Sequence, residues 1–521
     1  MGHLGLPLSP AALRWGTAGL LLVFAALVSL GFGPYLDDQH AFRQTQTAIS
    51  AYYFSGLADF WAYQTPILGL PWSVPFEFPL YQALVKGLYL ASPLSLETAG
   101  RMVSVLFFLL CFWPLHRLLK TIKVAQPAWV MAPVLLAPLY VFWSRSFMIE
   151  TLALFLALSF VALWAQLLRE PVLPAQRLMG LWVVGALAAL VKITTLLPLM
   201  LLTGAVSAWL VAAALMRRSG LQKPLWVLAV HGLVMAVALA WVAYTDAVKT
   251  PGALSSHLVS RELRGWTFGQ LAQRWDPAVW NALISHTLEI LFPFHQRLTG
   301  LRNALALGWL LAFGVFVMRC SRTRRWQVAG LLALYLLPML VFINLHRIHN
   351  YYQMANGWLM CLAFGLAAYG AVEASSSSEA RRLLTGMYAL NLLVFALGSG
   401  WQLVSKSSHH GSLLDISAQL RQHTAQQSVI VVRGLDWSPQ LPYQAQRRAM
   451  MLPTWGSPVD VDAALRTLLA SGAPVSAYVS CGAADATDAQ ARQALGLMGQ
   501  QAAAVGPAGA NFDGCELLLL R

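Results

Sequence analysis

The sequence predicts a polytopic α-helical membrane protein that carries a small α/β domain at its C-terminal end. Three observations lead there. Of the 521 residues, 58% are hydrophobic and 11% charged, where a soluble domain carries about a quarter charged residues. About eleven apolar runs approach the length of roughly 20 residues at which a helix crosses a bilayer. From about Lys406 onward, polar and charged residues return and the apolar runs shorten to strand length. The net charge of +14 does not point to nucleic acid, because Lys and Arg fall in short clusters between apolar runs, without a basic stretch interleaved with aromatics.

In chain order, the expected spans lie near 13–33, 102–118, 126–143, 149–168, 178–191, 194–216, 224–245, 302–318, 327–344, 353–372 and 382–402. The first lacks a small-residue cleavage site and reads as a retained span. The run 79–91, PLYQALVKGLYLA, is short and contains Lys86; it is expected to lie in the interface as an amphipathic helix. With that run not crossing, Arg117/Lys120/Lys123, Arg169/Arg177, Arg217/Arg218/Lys223, Arg319/Arg322/Arg324/Arg325 and Arg381/Arg382 all fall on one side. By the positive-inside rule that side is the cytoplasm. The N-terminus is then inside, and the loops 34–101 and 246–301 and the C-terminal domain are outside. Asp37, Asp38, Asp59, Glu77, Glu97 and Glu150 fall outside in this topology, and Glu170 inside.

The expected division is a membrane domain over 1–404 and an extracytoplasmic domain over 405–521. The second outer loop, with RELRGW and LFPFHQR, suggests one or two surface helices. In the C-terminal domain, SVIVVRG, RAMMLP, VSAYVS and CELLLLR read as strands, with VDAALRTLLASG and DAQARQALGLMGQ as helices between them. This alternation predicts a mostly parallel sheet. No GxGxxG or P-loop is present to suggest a nucleotide site. The five cysteines show no CxxC spacing, which gives no support to a zinc or redox motif. Cys481 and Cys515, at the end of one expected strand and the start of another, are expected to pair in an oxidising compartment.

Five places on the outer side carry the chemistry-bearing side chains. They are Asp37-Asp38-Gln-His40 with Arg43 and Gln44; Phe76-Glu77-Phe-Pro79-Leu-Tyr81; Arg145-Ser-Phe-Met-Ile-Glu150; Leu190-Val-Lys192; and His346-Arg347-Ile-His349-Asn350-Tyr351-Tyr352. Charges this close to apolar runs need partners or a polar cavity, since insertion of one at the bilayer centre costs about 2.5–3.5 kcal/mol. The bland readings are mutual pairing and snorkelling to the headgroups. Trp61, Tyr63, Trp72 and Tyr81 suit either sugar stacking or the interfacial aromatic belt.

This ordered set resembles the GT-C superfamily of membrane glycosyltransferases, in particular the lipid A aminoarabinose transferases and the protein O-mannosyltransferases. There an Asp-Glu pair follows the first span, and DDQHAF stands in its place here. FEFPLYQ, RSFMIETLALF, ALVKITTL and HRIHNYYQM match the later motifs in order. Two departures stand out: the second acid is Asp38 rather than Glu, and Phe78 stands where the aminoarabinose transferases have a Lys. Lys86, Arg145, Arg43 or Arg347 are the residues left to substitute for that cation. The resemblance implies inverting transfer of a sugar from a polyprenyl (undecaprenyl) monophosphate to a hydroxyl on a lipid, polysaccharide or protein acceptor. The reaction would take place at the outer face of a bacterial inner membrane.

The resemblance implies catalytic roles for Asp37, Asp38, Glu77 and Glu150. It implies donor-phosphate contacts from Arg43, Lys86, Arg145, Lys192, His346, Arg347, His349 and Tyr351, and acceptor or sugar contacts from His40, Gln44, Tyr81 and Tyr352. Alignment with the Asp-Glu-x-His pattern puts Asp37 at the base, while spacing from His40 allows Asp38 equally. No cofactor or metal is required, and a divalent cation is compatible. The rival classes are a flippase or transporter of lipid-linked sugars and an O-antigen ligase or polymerase. Against a transporter, the helix pattern has no internal repeat and no paired broken helices.

Overall fold

The computed structural model describes residues 10–170, 172–218, 220–294, 298–406, 412–497 and 514–520. The His295-Gln296-Arg297 end of LFPFHQR lies outside them. Among the described residues, seven helices are long and apolar enough to cross a membrane: Leu96–Thr121, Glu150–Leu167, Ala175–Arg217, Gln222–Lys249, Thr299–Arg319, Gly357–Ala374 and Ser378–Ser405. The protein is a multi-pass membrane protein.

Eight of the eleven expected runs fall on these seven helices and three on other helices, with local departures that have physical causes. The first run forms the helix Pro10–Ser29. The run 126–143 is split into Pro127–Leu136 and Pro138–Trp143. Pro138 has no N–H to donate and disfavours helical backbone at the residue before it, and Ala137 is accordingly extended, with ψ 132°. The runs 178–191 and 194–216 are two helices within Ala175–Arg217 that meet at a kink at Lys192, which has extended backbone (φ −164°, ψ 92°). The run 327–344 is the helix Arg322–Val341, whose first turn carries Arg322, Arg324 and Arg325. Leu80–Ala91 is a helix of 12 residues. At 1.5 Å per residue it is about 18 Å long, well short of the ~30 Å hydrocarbon core.

The chain forms two compact units that do not follow its linear order. The helical unit comprises Met1–Gly33, Ser104–Ala238 and Arg264–Ser407, and the mixed unit Pro34–Val103, Leu239–Leu263 and Ser408–Arg521. In the helical unit, the helix Gly357–Ala374 is buried along almost its whole length. It runs so close to the helix Pro127–Leu136 that a Cβ on Gly365 would lie 2.3 Å from the Val130 carbonyl oxygen, the close approach that small residues allow between membrane helices.

The mixed unit is built on a four-stranded sheet. Its strands are β1 (Val429–Arg433), β2 (Arg448–Leu452), β3 (Val475–Cys481) and β4 (Cys515–Leu519), in the order β2-β1-β3-β4. β1 pairs in parallel with β2 and β3, and β4 closes the sheet antiparallel to β3. The central strand β1 is buried at every position, as the unbroken apolar run VIVV requires. Cys481 and Cys515 face each other across β3 and β4 and form the expected disulfide. The edge of β2 is covered by residues 66–69. Ala449 N donates to the Pro66 carbonyl (2.9 Å), Met451 N to the Ile67 carbonyl (2.8 Å), and Gly69 N to the Ala449 carbonyl (3.2 Å). An exposed strand edge is a liability, and this segment removes it. It also ties the loop after the first span to the C-terminal domain.

Candidate active site

In the mixed unit, the DDQH motif leads into the helix Ala41–Tyr53. His40 stands at its N-terminus in the left-handed conformation (φ 55°, ψ 40°), which is uncommon for a residue with a Cβ and is often found at functional sites. Asp38 is tightly held. Its carboxylate lies 3.7 Å from the Arg101 guanidinium, and the two side chains are 5% and 2% exposed. Gln44, itself fully buried, donates its amide to the same carboxylate and to the Gln39 carbonyl at 3.1 Å. Arg101 also donates to the Tyr35 carbonyl (2.8 Å). Asp37 is half-buried on the same loop.

One turn into that helix, Arg43 forms an ion pair with Glu77 and donates to the Gln46 side chain (2.6 Å). Around this pair lies a small polar pocket lined also by Thr47, Ser50, Tyr63, Thr65, Phe76 and Gln82, with room for about one water molecule. The Gln82 Oε1 is buried without a hydrogen-bond partner. The Tyr63 hydroxyl accepts from the Phe76 N–H (2.9 Å); burial, and secondly the Glu77 charge, push its pKa well up. Glu77 is therefore fixed beside a cation by groups on two segments of the chain.

Two expected contacts take other roles in the structure. Tyr81 is a core residue with no exposure, and its hydroxyl donates to the Gly100 carbonyl (2.8 Å). Lys86 donates to the Tyr52 carbonyl (2.7 Å) and lies 5.8 and 5.9 Å from the ring centroids of Tyr52 and Tyr89. Partial burial lowers its pKa, with Asp59 opposing. Phe78, at the position where the resembling family has a Lys, packs in an aromatic group with Phe60 (5.4 Å) and Trp241 (5.3 Å).

The helical unit holds the other candidates. Glu150 opens the helix Glu150–Leu167, where the helix dipole favours an acid. It pairs with Lys192 at the break in Ala175–Arg217, both side chains being less than a tenth exposed. The second carboxylate oxygen, Oε1, is buried without a hydrogen bond. Lys192 Nζ also lies 4.7 Å from the ring centroid of Tyr352 and 5.6 Å from that of Tyr351. Non-helical backbone at membrane depth is tolerated where it is buried in protein or lines a cavity, and here it presents a cation to a carboxylate and two aromatic faces.

Around them, Tyr351 stacks on Tyr352 (4.7 Å) and His349 (5.4 Å). His346 is buried, and its pKa is pushed down to about 3 by that burial, then by Lys192 and His286, so it is neutral near pH 7. Its Nδ1 has no hydrogen-bond partner. Arg347, by contrast, is exposed and hydrogen-bonded to Asn344 (3.2 Å). Arg145 is buried; it donates to the Gly31 carbonyl (2.9 Å), and its guanidinium lies over the Phe142 ring at 4.4 Å. Gly31 makes this possible, because a Cβ there would lie 2.2 Å from Arg145 Nε.

Sequence reasoning missed Arg101. It sits one residue ahead of an apolar run, where an arginine is easily taken for one that snorkels; a buried charge there was the available signal. Among the described residues, no three His, Cys, Asp or Glu side chains converge as metal ligands.

No family model matches the chain, and none of the curated proteins does. Solved structures do. ArnT from Cupriavidus metallidurans bound to undecaprenyl phosphate matches with a TM-score of 0.51 at 13% identity, over 98% of each chain. The oligosaccharyltransferase AglB from Archaeoglobus fulgidus, in complex with an inhibitory peptide and a dolichol-phosphate, matches with a TM-score of 0.52 at 12% identity. That match covers 90% of this chain and 69% of AglB. The protein therefore has the GT-C fold of membrane glycosyltransferases, as the order of its motifs led one to expect.

Proposed function

We propose that the protein is an inverting glycosyltransferase. It transfers a sugar from a polyprenyl monophosphate, undecaprenyl in a bacterial membrane, to a hydroxyl of an envelope lipid, polysaccharide or protein. The reaction lies on the outer side of the inner membrane, the side that also suits the Cys481–Cys515 bond. The fold supports the class, and both matched structures are named with a polyprenyl-type phosphate.

The observation that carries the reading is the setting of Asp38, next to the acid that the Asp-Glu-x-His pattern puts at the base. Asp38 is enclosed by Arg101 and Gln44, which hold it in place. A carboxylate so held is a poor proton acceptor, because the charge that its cation stabilises is lost on protonation. We assign the base to Asp37 and a positioning role to Asp38. The acceptor hydroxyl passes its proton to Asp37 as its oxygen bonds to the anomeric carbon. The bond from that carbon to the phosphate oxygen breaks with inversion, and polyprenyl phosphate leaves with the electron pair. Such proton transfer contributes about 10²–10⁴ in rate.

Cations placed where phosphate charge grows lower the barrier further. Lys192, Arg145 and Arg347 are the assigned phosphate partners. His346, His349 and Tyr351 support the phosphate group; His40, Gln44 and Tyr352 orient sugar or acceptor. Glu77 pairs with Arg43 and Glu150 with Lys192.

The test is whether the purified protein releases free polyprenyl phosphate from a labelled polyprenyl monophosphate sugar when acceptor glycolipid is supplied. A transferase releases it. A flippase moves the intact donor and releases none, and a ligase of pyrophosphate-linked donors leaves the monophosphate untouched.

A further inference from the structure

Two tryptophans that the reaction above does not use stand on loops leaving adjacent parallel strands. Trp437 lies four residues beyond the end of β1 and Trp455 three beyond the end of β2. Ligands of open α/β sheets bind outside the carboxyl ends of the strands. The two indoles meet nearly at right angles, with centroids 6.5 Å apart and planes at 78°. Both are half-buried, so each keeps part of its surface open.

Their setting is rigid. Asp436, in left-handed backbone (φ 50°), accepts from the Thr454 N–H (3.2 Å) and so joins the two loops. Gly434 leaves β1 where a Cβ would come within 2.0 Å of the Cys481 carbonyl oxygen, at φ +84°. Phe42 (5.0 Å) and Phe76 (6.1 Å) back the Trp437 ring. Those two phenylalanines are the chain neighbours of Arg43 and Glu77.

Polar groups border the rings. His257 lies 5.4 Å from Trp455, and its Nε2 is 3.1 Å from Asp460 Oδ2, with the two side chains 41% and 29% exposed. An imidazole beside a carboxylate can both donate to and accept from hydroxyls. Aromatic faces carry negative charge and attract the weakly positive C–H groups on the apolar face of a pyranose. A lipid chain would call for an aliphatic groove instead.

We propose that Trp437 and Trp455 form a stacking platform for a neutral sugar ring of a glycan-bearing acceptor, with His257 and Asp460 contacting its hydroxyls. The proposal rests on the glycosyl-transfer reading and names the acceptor class as a glycan. It is tested by saturation-transfer NMR of the full-length protein in lipid nanodiscs, with maltotriose, cellotriose and chitotriose as probes.

The expected result is transfer of saturation to ring protons of at least one probe. Binding should weaken tenfold or more in Trp437→Ala and Trp455→Ala, survive in Trp455→Phe, and weaken severalfold in His257→Ala, which leaves both indoles in place. Absence of transfer to all three probes, or binding unchanged in the alanine variants, overturns the platform. Should an alanine variant fail to fold, unchanged binding in His257→Ala overturns it. Tryptophan-dependent binding by a protein that releases no polyprenyl phosphate supports the platform and removes only the transferase reading.

Discussion

Among the described residues, each unit holds a carboxylate and a cation that are paired and both less than a tenth exposed, and the two pairs are built differently. Asp38–Arg101 in the mixed unit is over-determined. Gln44 and Arg101 both reach the carboxylate, and Arg101 is anchored to the Tyr35 carbonyl. Glu150–Lys192 in the helical unit is under-satisfied. One carboxylate oxygen has no hydrogen bond, the lysine stands at a helix break, and two aromatic faces complete its surroundings. A buried pair is weak evidence for stability on its own; what distinguishes the two is what else each partner holds. The first fixes a loop. In the proposed reaction, the second supplies the cation that turns to the donor phosphate.

The largest expected effect tests the first pair. Arg101→Met leaves the Asp38 carboxylate buried without its cation, a change that costs about 3–5 kcal/mol. Thermal unfolding in detergent should show a large drop, and Asp38→Asn in the same chain should recover only part of it, since the Tyr35 anchor stays lost. Full recovery in the double variant would make the two pairs alike.

The second pair should respond otherwise. Lys192→Met and Glu150→Met each destabilise, because each leaves a buried charged partner alone. The double variant should return close to wild-type stability, since a buried pair is often replaceable by apolar or neutral side chains at little net cost. Its KM for donor should nevertheless stay raised by about tenfold, the equivalent of ~1.4 kcal/mol of lost phosphate contact. A double variant with normal donor KM would remove Lys192 from the phosphate site.

The smallest effect is a pH dependence in the helical unit. His346 titrates near 6.5 when exposed but is pushed down to about 3 in the fold. Between these values the unfolded chain binds the proton and the folded chain does not, so stability falls as pH is lowered below 6.5 and is unaffected above it. His346→Asn should flatten the acid limb of a pH–melting-temperature series while leaving the neutral region nearly unchanged. An unaltered acid limb would mean that His346 is not held neutral.

Much of this was legible in the sequence, and the residues show why. The strands of the C-terminal domain follow from short apolar runs bounded by turns, and the Cys481–Cys515 bond from their ends. Lys192 stood out because a lone charge between two apolar runs needs a reason. Arg101 did not, because its partner belongs to a distant motif and no single-chain pattern brings the two together. Among the described residues, seven helices meet the length and apolarity of a span, beside the eleven runs expected. Hydropathy does not register the proline that splits 126–143, whereas the lone charge at Lys192 marks the kink at which two helices of Ala175–Arg217 meet. Trp437 and Trp455 are 18 residues apart in the sequence, and only the parallel pairing of β1 and β2 brings their loops side by side.

The central claim, that adjacent acids divide the labour of base and anchor, is tested most directly by comparing Asp37→Asn with Asp38→Asn. The measurement is single-turnover release of polyprenyl phosphate at saturating donor. Asn is nearly isosteric with Asp and removes the basicity. Asp37→Asn should lower turnover by about 10²-fold or more with donor binding and melting temperature intact. Asp38→Asn should lose stability first and turnover less. An active Asp37→Asn beside a folded but inactive Asp38→Asn would reverse the roles, and activity in both would place the base elsewhere.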